Sequence, residues 1–298
     1  MTASETLRRQ LTPLEPLVRR VESARVLDAP GKLVARTVSG LVGAGKIKQA
    51  LSGTWLGHAL HPLLTDVVIG SFVSASLLDV IGGDDAGPAS ERLIALGIAA
   101  YGPTALTGVS DWADSEPDSD RVRRTGLVHA ATNATALTLY VASLAARRRG
   151  AHRQGVLVGA AGATVLMAGG YLGGHLAYSA GVGVDQTVFD PGPVEWTSAG
   201  SDSPLTERQP TRVVAGDTPV LLFRDGDGTH AIHDRCSHRG CSLTDGEIDG
   251  HHIICACHGS RFDLYTGAVL RGPATTPQPA FEVRDRDRVR EVRRLAPG

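Results

Sequence analysis

The sequence predicts a multi-domain chain in which an all-α four-helix bundle, long enough to cross a membrane, precedes an all-β domain with a metal site. Three observations lead to this prediction. Four apolar stretches with few charges lie between residues 58 and 180. Short apolar segments separated by turn residues fill residues 194–298, as is typical of β-strands. All four cysteines lie in this last third of the chain.

Composition divides the 298 residues into four segments. Residues 1–57 are basic, residues 58–180 hold the apolar stretches, residues 181–193 are a short linker with Gly and Pro, and residues 194–298 form the β domain. The net charge of −1 gives no indication of nucleic acid as a partner.

The basic N-terminal segment carries leucines at helical spacing, including Leu7, Leu11 and Leu14. It has no apolar core and cleavage site of the kind that signal peptides contain. Two interpretations stay open, a solvated amphipathic segment and a helix that lies on the membrane surface and is attracted to anionic lipid.

The four apolar stretches run from about residues 63 to 81, 93 to 109, 127 to 146 and 156 to 178. Each is near the length that crosses a bilayer. A soluble bundle is the alternative, because the first stretch contains Asp66 and Asp79. The second and fourth stretches hold no Asp, Glu, Lys or Arg, and glycines in the fourth allow close helix packing in lipid. We therefore expect a multi-pass protein of the cell membrane.

Six polar residues lie near helix ends that an up-and-down bundle brings to one side. They are His58, His61, Asp66, Asp111, His129 and His175. Three interpretations stay open for this possible second site. They are a hydrogen-bonded network that holds the helices together, a haem b bound by two of His61, His129 and His175, and a pocket for a quinone or another metal.

Two loops of the β domain each pair a cysteine with a histidine. Cys236 and His238 are two residues apart, and Cys255 and His258 are three residues apart. Two thiolates and two imidazoles suit a [2Fe-2S] cluster in which histidines replace cysteines on one iron. A zinc site is the alternative, although these spacings differ from the C-x-x-C that is usual for zinc.

Residues 194–295 resemble a complete Rieske domain. The resemblance rests on the sequences CSHRGC and CACHGSRFD and on a Gly-Pro-Ala segment that is similar to the loop covering the Rieske cluster. It implies a set of ligands and supporting residues: Cys236, His238, Cys255 and His258 on iron, Ser260 bonded to a bridging sulfide, and a Cys241–Cys257 disulfide. Two buried free thiols are the alternative for Cys241 and Cys257.

Two positions depart from the Rieske proteins of cytochrome bc complexes. Phe262 stands where those proteins carry a Tyr whose hydroxyl bonds a ligand sulfur, and its absence should lower the reduction potential. Arg239 and Gly240 resemble instead the loop of Rieske ferredoxins and ring-hydroxylating systems. The β domain thus combines a bc-type disulfide with ferredoxin-type loop tips.

The helical region resembles a family of bacterial membrane domains of unknown function. The matching sequences are GHALHPLLTD at the first helix, GVSDW after the second, His129 in the third and GGYLGGH in the fourth. This resemblance implies a fold and no activity.

Together these observations predict a membrane-tethered Rieske protein that carries single electrons, with His238 and His258 exposed as the electron port. It would be an electron-transfer protein or an oxidoreductase component rather than a stand-alone enzyme, and we expect no catalytic residue. Its partners would be the lipid bilayer and a redox protein or a quinone. The alternatives are a subunit of a quinol-oxidising respiratory complex and a redox-sensing membrane protein without turnover.

The side of the membrane rests on two opposing arguments. The basic N-terminus favours the cytoplasmic side, which we expect for the Rieske domain, whereas a disulfide favours an oxidising compartment. The other histidines of the β domain are expected to be exposed; they are His230, His233, His251 and His252.

Overall fold

A computed structural model gives the structure of the protein and describes residues 14–43 and 45–295. Leu7 and Leu11 lie outside the described residues. The chain divides into two compact units. The helical unit consists of Met1–Val42 and His61–Val182, and the β unit consists of Gly43–Leu60 and Gly183–Gly298. The β unit is therefore built from two stretches that are far apart in sequence.

The described residues contain seven α-helices, numbered in chain order as follows: α1 Glu15–Ser23, α2 Asp28–Val42, α3 Lys46–Ser52, α4 Leu60–Ile81, α5 Gly87–Ser115, α6 Asp120–Arg148 and α7 His152–Gly174. A π-helical turn, His175–Ser179, continues α7. The four apolar helices α4 to α7 confirm the prediction; α4, α5 and α6 are longer than their apolar stretches, and α7 begins four residues before its stretch. The Ser119 hydroxyl caps α6 by accepting a hydrogen bond from the Val122 N–H. The helix therefore begins at Asp120 and includes the charged residues before its apolar stretch.

Helices α4 to α7 carry apolar side chains outward and small polar side chains inward. Ser90, Thr107 and Ser143 are buried between helices. The exposed apolar side chains of these helices include Leu63, Leu77, Val80, Leu96, Leu106, Leu157 and Met167. All four helices are long and apolar enough to cross a membrane. An apolar exterior, around an interior in which small polar side chains are buried beside apolar ones, suits a helix bundle surrounded by lipid.

Two side-chain contacts join α4 to α6 across the bundle. Phe72 stacks on Tyr140 with ring centroids 3.9 Å apart, and Asp79 forms a buried ion pair with Arg147. A Cβ on the α5 residue Gly97 would meet the Phe72 ring at 2.6 Å, so no other residue allows this approach. These contacts connect the first helix pair, α4 and α5, with the second, α6 and α7, and the hydropathy pattern does not predict them.

Helices α1 and α2 pack on the bundle through apolar contacts and ion pairs. Val18 and Ala35 are buried. Arg124 of α6 donates two hydrogen bonds to the Asp28 carboxylate, each 2.7 Å long. The Glu22 carboxylate accepts hydrogen bonds from Arg121 and His175. The acidic residues of the basic N-terminal segment thus hold it against the helical unit.

The β unit contains ten strands in two antiparallel sheets. In chain order the strands are β1 Thr197–Ser201, β2 Thr211–Ala215, β3 Thr218–Asp225, β4 Gly228–His233, β5 Glu247–Asp249, β6 His252–Ile254, β7 Arg261–Asp263, β8 Val269–Arg271, β9 Ala280–Arg286 and β10 Val289–Arg294. The six-stranded sheet has the order β1-β10-β9-β4-β3-β2, and the four-stranded sheet has the order β5-β6-β7-β8. The smaller sheet and the end of β4 position the two loops that carry cysteine and histidine.

The first strand, β1, begins at Thr197, which pairs with Val292 of β10. The short strands β5 and β7 are not predicted, because three residues are too few to show an alternating pattern. Pairing with β6 on both sides stabilises them instead.

Candidate metal centre

The first loop, residues 234–246, follows β4 and turns tightly at its cysteine. The Cys236 N–H donates to the Cys241 carbonyl, and the Gly240 N–H donates to the Cys236 carbonyl, both at 2.8 Å. Gly240 has a φ of 80°, a conformation that favours glycine. The backbone therefore circles the Cys236 side chain and brings His238 to the same end of the unit.

The second loop, residues 255–260, joins β6 to β7 and repeats this geometry. The Cys255 N–H donates to the Ser260 carbonyl at 2.8 Å, and the Gly259 N–H donates to the Cys255 carbonyl at 3.0 Å. Gly259 has a φ of 74°. Each loop thus places its cysteine at the base of the turn and its histidine within the turn.

A disulfide between Cys241 and Cys257 joins the two loops and confirms the predicted bridge. The Sγ atoms of Cys241, Cys255 and Cys257 lie within 4.8 Å of one another. Because two of these sulfurs are bonded to each other, this group does not offer a zinc ion three thiolates.

The two remaining thiols lie side by side in the core. Cys236 is 1% exposed and Cys255 is 2% exposed. The Cys236 thiol donates to the Cys255 sulfur, which lowers the pKa of Cys255 to about 6 and raises the pKa of Cys236 well above its usual value. Backbone N–H groups donate to both sulfurs, from His238 and Arg239 in the first loop and from Cys257 and His258 in the second. Such donors stabilise thiolates and the sulfurs of a cluster.

The two imidazoles lie beside each other at the same end. The ring centroids of His238 and His258 are 5.0 Å apart, and the planes are nearly perpendicular at 85°. Both side chains are half-buried rather than exposed as expected. Burial, with the positive charges of His258, Lys48 and Arg239, holds the pKa of His238 well below its usual value. The neutral imidazole is the form that binds a metal.

Two adjacent thiols and two adjacent imidazoles on matching loops fit a [2Fe-2S] cluster with two ligands of each type. Ser260 is fully buried, and its hydroxyl accepts the Ala274 N–H at 3.0 Å. The Ser260 oxygen therefore acts as an acceptor, and its O–H group is left to act as a donor. Arg271 donates two hydrogen bonds to the Gly259 carbonyl, which fixes the second loop.

Sequence reasoning missed the residue that holds the first loop. Asp234 is 1% exposed, and its carboxylate accepts hydrogen bonds from the Ser242 hydroxyl and from both the N–H and the hydroxyl of Thr244. The sequence offers a weak signal for this role, since an aspartate between a strand and a Cys-rich turn is a common side-chain acceptor for backbone N–H groups.

His233 corrects the expectation that the other histidines of the β domain are exposed, because its side chain is 0% exposed. Its Nε2 faces the Asp190 carboxylate at 3.4 Å, and its Nδ1 accepts the Arg235 N–H at 3.0 Å. The last three residues of β4, Ala231, Ile232 and His233, are all buried, directly before the first loop. Burial lowers its pKa.

Comparison with known proteins identifies this unit. Residues 195–282 match the family described as Rieske [2Fe-2S] domain. The anthranilate 1,2-dioxygenase ferredoxin subunit of Burkholderia cepacia is 36% identical over 90 residues, which are 30% of this chain and 83% of that protein. The chain belongs to the Rieske [2Fe-2S] family. Ferredoxin CarAc of Metapseudomonas resinovorans is a second Rieske-type relative, 41% identical over 86 residues that cover 28% of this chain and 78% of that protein.

A solved structure and a second family complete the comparison. The ferredoxin of carbazole 1,9a-dioxygenase from Nocardioides aromaticivorans is 29% identical, with a TM-score of 0.31, over 33% of this chain and 96% of that chain. Residues 57–186 match the family described as Predicted membrane protein (DUF2231). The Rieske protein therefore combines a ferredoxin-like domain with a membrane-protein domain, as expected from the sequence.

The polar residues predicted to gather in the bundle have separate hydrogen-bond partners. His61 lies on α4, and His129 lies on α6, 68 positions later in the sequence. His61 Nδ1 lies 3.0 Å from the Thr104 carbonyl oxygen, and His129 Nδ1 lies 2.9 Å from the Gly169 carbonyl oxygen. Each histidine therefore contacts the second helix of its own hairpin.

The other members of the predicted site have separate surroundings. His175 Nε2 pairs with Glu22 at 3.0 Å, Asp66 is exposed, and Asp111 is half-buried. His58 belongs to the β unit and is exposed. Among the residues that the structure describes, no three histidines and carboxylates of the bundle come close enough to share a metal ion. A haem b in the bundle is not supported.

Proposed function

We propose that this Rieske protein is a membrane-anchored electron carrier. A [2Fe-2S] cluster supplies one-electron reduction and oxidation when it is bound. Its ligands would be Cys236 and Cys255 on one iron and His238 and His258 on the other. The observation that carries the proposal is the pair of matched loops, which present two buried thiols and two neighbouring imidazoles at one end of the unit.

The residues around these four side chains bind and tune the cluster. Backbone N–H groups from both loops would stabilise negative charge on the thiolate sulfurs, and Ser260 would donate to a bridging sulfide. Phe262 is fully buried and offers no hydroxyl to a ligand sulfur. The proposal therefore places the midpoint reduction potential of the cluster in the lower part of the range of Rieske centres, about −150 to +300 mV.

The test is electron paramagnetic resonance of the reduced full-length protein in detergent. The wild type is expected to give a Rieske signal. Cys255→Ser and His258→Tyr are each expected to abolish it, whereas His251→Ala, which changes an exposed histidine of the same unit, should preserve it. An intact signal in Cys255→Ser or His258→Tyr would overturn the ligand assignment.

A protein redox partner follows from the same proposal. The relatives include proteins named as ferredoxin subunits of dioxygenases, and such a subunit exchanges electrons with other proteins. A midpoint near the lower end of the Rieske range would support this type of partner. A midpoint near the upper end would instead support quinol oxidation in a respiratory complex.

We propose that helices α4 to α7 anchor the carrier in the cell membrane, with the Rieske domain on the cytoplasmic side. The outward apolar side chains support a membrane anchor. The basic N-terminal segment supports the cytoplasmic location of the Rieske domain. The disulfide favours the opposite side. Labelling of an introduced cysteine at exposed Ser201, in intact and in opened cells, would decide between them.

The histidines of the bundle are assigned a structural role in this proposal. His61 would hold α4 to α5, and His129 would hold α6 to α7, through their bonds to backbone carbonyls. The optical spectrum of the purified protein should then contain no haem band. A haem band that disappears in His61→Ala or His129→Ala would overturn this assignment.

A further inference from the structure

The β unit includes a segment that the Rieske family match does not cover. Residues 45–57 contain α3 and the 3₁₀ turn Thr54–Leu56 and belong to the β unit together with residues 183–298. The family match spans residues 195–282 only. A role of this segment in the cluster site would therefore be an addition to the part of the chain that matches the Rieske family.

Two glycines shape the turn that carries Thr54. Gly53 has a φ of 81° and Gly57 has a φ of 72°, and both values favour glycine. The Leu56 N–H donates to the Gly53 carbonyl at 2.8 Å, and the Gly57 N–H donates to the Thr54 carbonyl at 3.1 Å. These bonds fix the backbone of the turn, whereas the Thr54 hydroxyl bonds to a different part of the β unit.

The partner of Thr54 is the loop 272–276, which follows β8. The Thr54 hydroxyl donates to the carbonyl of buried Ala274 at 3.2 Å. A Cβ at Gly272 would lie 1.9 Å from the Thr54 Oγ1, so the two segments approach too closely for a side chain at Gly272. The turn of segment 45–57 therefore packs directly on loop 272–276.

Loop 272–276 in turn bonds to both loops that carry the proposed ligands. The Ala274 N–H donates to the hydroxyl oxygen of Ser260 in the second loop at 3.0 Å. The Ser237 hydroxyl of the first loop donates to the Thr276 carbonyl at 2.8 Å. Ser237 and Ser260 are both buried. One short peptide segment thus connects Thr54 with a side chain of each cluster loop.

We propose that Thr54 is a positioning residue of the cluster site, which holds loop 272–276 in place and, through Ala274, orients the Ser260 hydroxyl. The Ser260 oxygen accepts the Ala274 N–H, so the direction of its own O–H depends on the position of that loop. In the proposed function this O–H donates to a bridging sulfide, and such a bond stabilises the negative charge that reduction adds. The inference rests on the proposed function, and Thr54 itself is not an iron ligand.

The first test is hydrogen–deuterium exchange of the full-length protein in detergent, read by mass spectrometry on peptides that contain residues 272–276. Thr54→Val keeps the shape of the side chain without its hydroxyl, so exchange in this loop should become about threefold to tenfold faster, as for the loss of one hydrogen bond. Thr54→Ser keeps the hydroxyl, and Thr206→Val changes an exposed threonine of the same unit. Both should stay within about twofold of the wild type. Exchange at the wild-type rate in Thr54→Val would overturn the inference.

The second test is a redox titration of the same cluster-loaded proteins, followed by electron paramagnetic resonance. Thr54→Val is expected to shift the reduction equilibrium constant about threefold towards the oxidised form, which is about 28 mV for one electron, and Thr54→Ser should titrate like the wild type. A Thr54→Val protein that keeps its cluster but titrates like the wild type would also overturn the inference. A wild type without a Rieske signal would overturn the proposed function and with it the effect on the potential, whereas the exchange of loop 272–276 tests the contact of Thr54 separately.

A further pair of variants applies if Thr54→Val fails to retain its cluster. Gly272→Ala should speed exchange of residues 53–57, because the added Cβ meets the Thr54 Oγ1. The effect should be at least about threefold in the wild-type background and less than about twofold in the Thr54→Ala background, which lacks this oxygen. Equal effects of Gly272→Ala in the two backgrounds would show that Thr54 does not pack on the loop and would overturn the inference.

Discussion

Removal of the disulfide should destabilise the β unit without removing any proposed ligand. Cys241 and Cys257 are 16 residues apart, and closing a loop of this length restricts the unfolded chain by about 3 kcal/mol. This free energy corresponds to roughly a hundredfold change in the unfolding equilibrium. Both cysteines must be replaced together, because the Sγ atom of either one lies within 4.8 Å of Cys255 and a free thiol there would exchange with it or compete as a ligand.

The assay is a urea titration of the C241A/C257A protein, followed by the visible absorbance of the cluster. This absorbance reports the β unit alone, which matters because a two-unit chain has no single free energy of unfolding. With a slope of about 1–3 kcal/mol/M, the midpoint should fall by roughly 1–3 M. Replacement of two exposed serines of the same unit, Ser201 and Ser203, serves as the control. An unchanged midpoint would refute the argument that the bridge stabilises the loops.

Three further predictions follow from buried charged groups. Asp234→Ala should lower the free energy of unfolding of the β unit by about 3 kcal/mol, because three hydrogen bonds lose their acceptor. As a control in the same urea titration, Asp245→Ala, which changes an exposed side chain, should alter this free energy by less than ~0.5 kcal/mol. Burial lowers the pKa of His233, so the stability that the neutral His233 side chain contributes should be complete above pH ~6.5 and decrease as the pH falls below that value. If the urea midpoints of His233→Gln and the wild type had the same pH dependence, this prediction would be contradicted. Asp79→Ala or Arg147→Ala alone should lower the free energy of unfolding of the bundle by about 3–5 kcal/mol, because each leaves a buried charge without its partner. The D79L/R147M double replacement should lower it much less. Thermal unfolding in detergent measures both, and equal losses would exclude the buried ion pair as the cause.

The cluster loops could be predicted from the sequence because their chemistry is local. Ligand type, spacing and the glycines after each pair all lie within a few residues, so the sequence predicts Cys236 and Cys255 as ligands without knowledge of the fold. The long apolar helices are predictable for a similar reason, since hydropathy is a property of each segment. Hydropathy places the start of α6 too late, because the Ser119 cap and the ion pairs of Arg123 extend the helix beyond its apolar part.

Contacts between distant segments could not be predicted. Asp234, His233 and Lys48 are polar residues in unremarkable local sequences, and only the packing of other strands and helices shows that they are buried. The stacking of Phe72 on Tyr140 belongs to the same class, because the two residues lie on different helices and 68 positions apart.

The division of the β unit into Gly43–Leu60 and Gly183–Gly298 constrains how the protein is made. Both stretches fold together, so a chain whose apolar helices cross a bilayer must return to the side from which it left. The number of crossings between them is therefore even, and the four helices α4 to α7 satisfy this parity. During synthesis, the stretch Gly43–Leu60 emerges well before the strands of its own unit. Under the proposed anchoring, the β unit is completed only after all four helices have crossed the membrane, so the assembly of the proposed electron carrier would depend on membrane insertion.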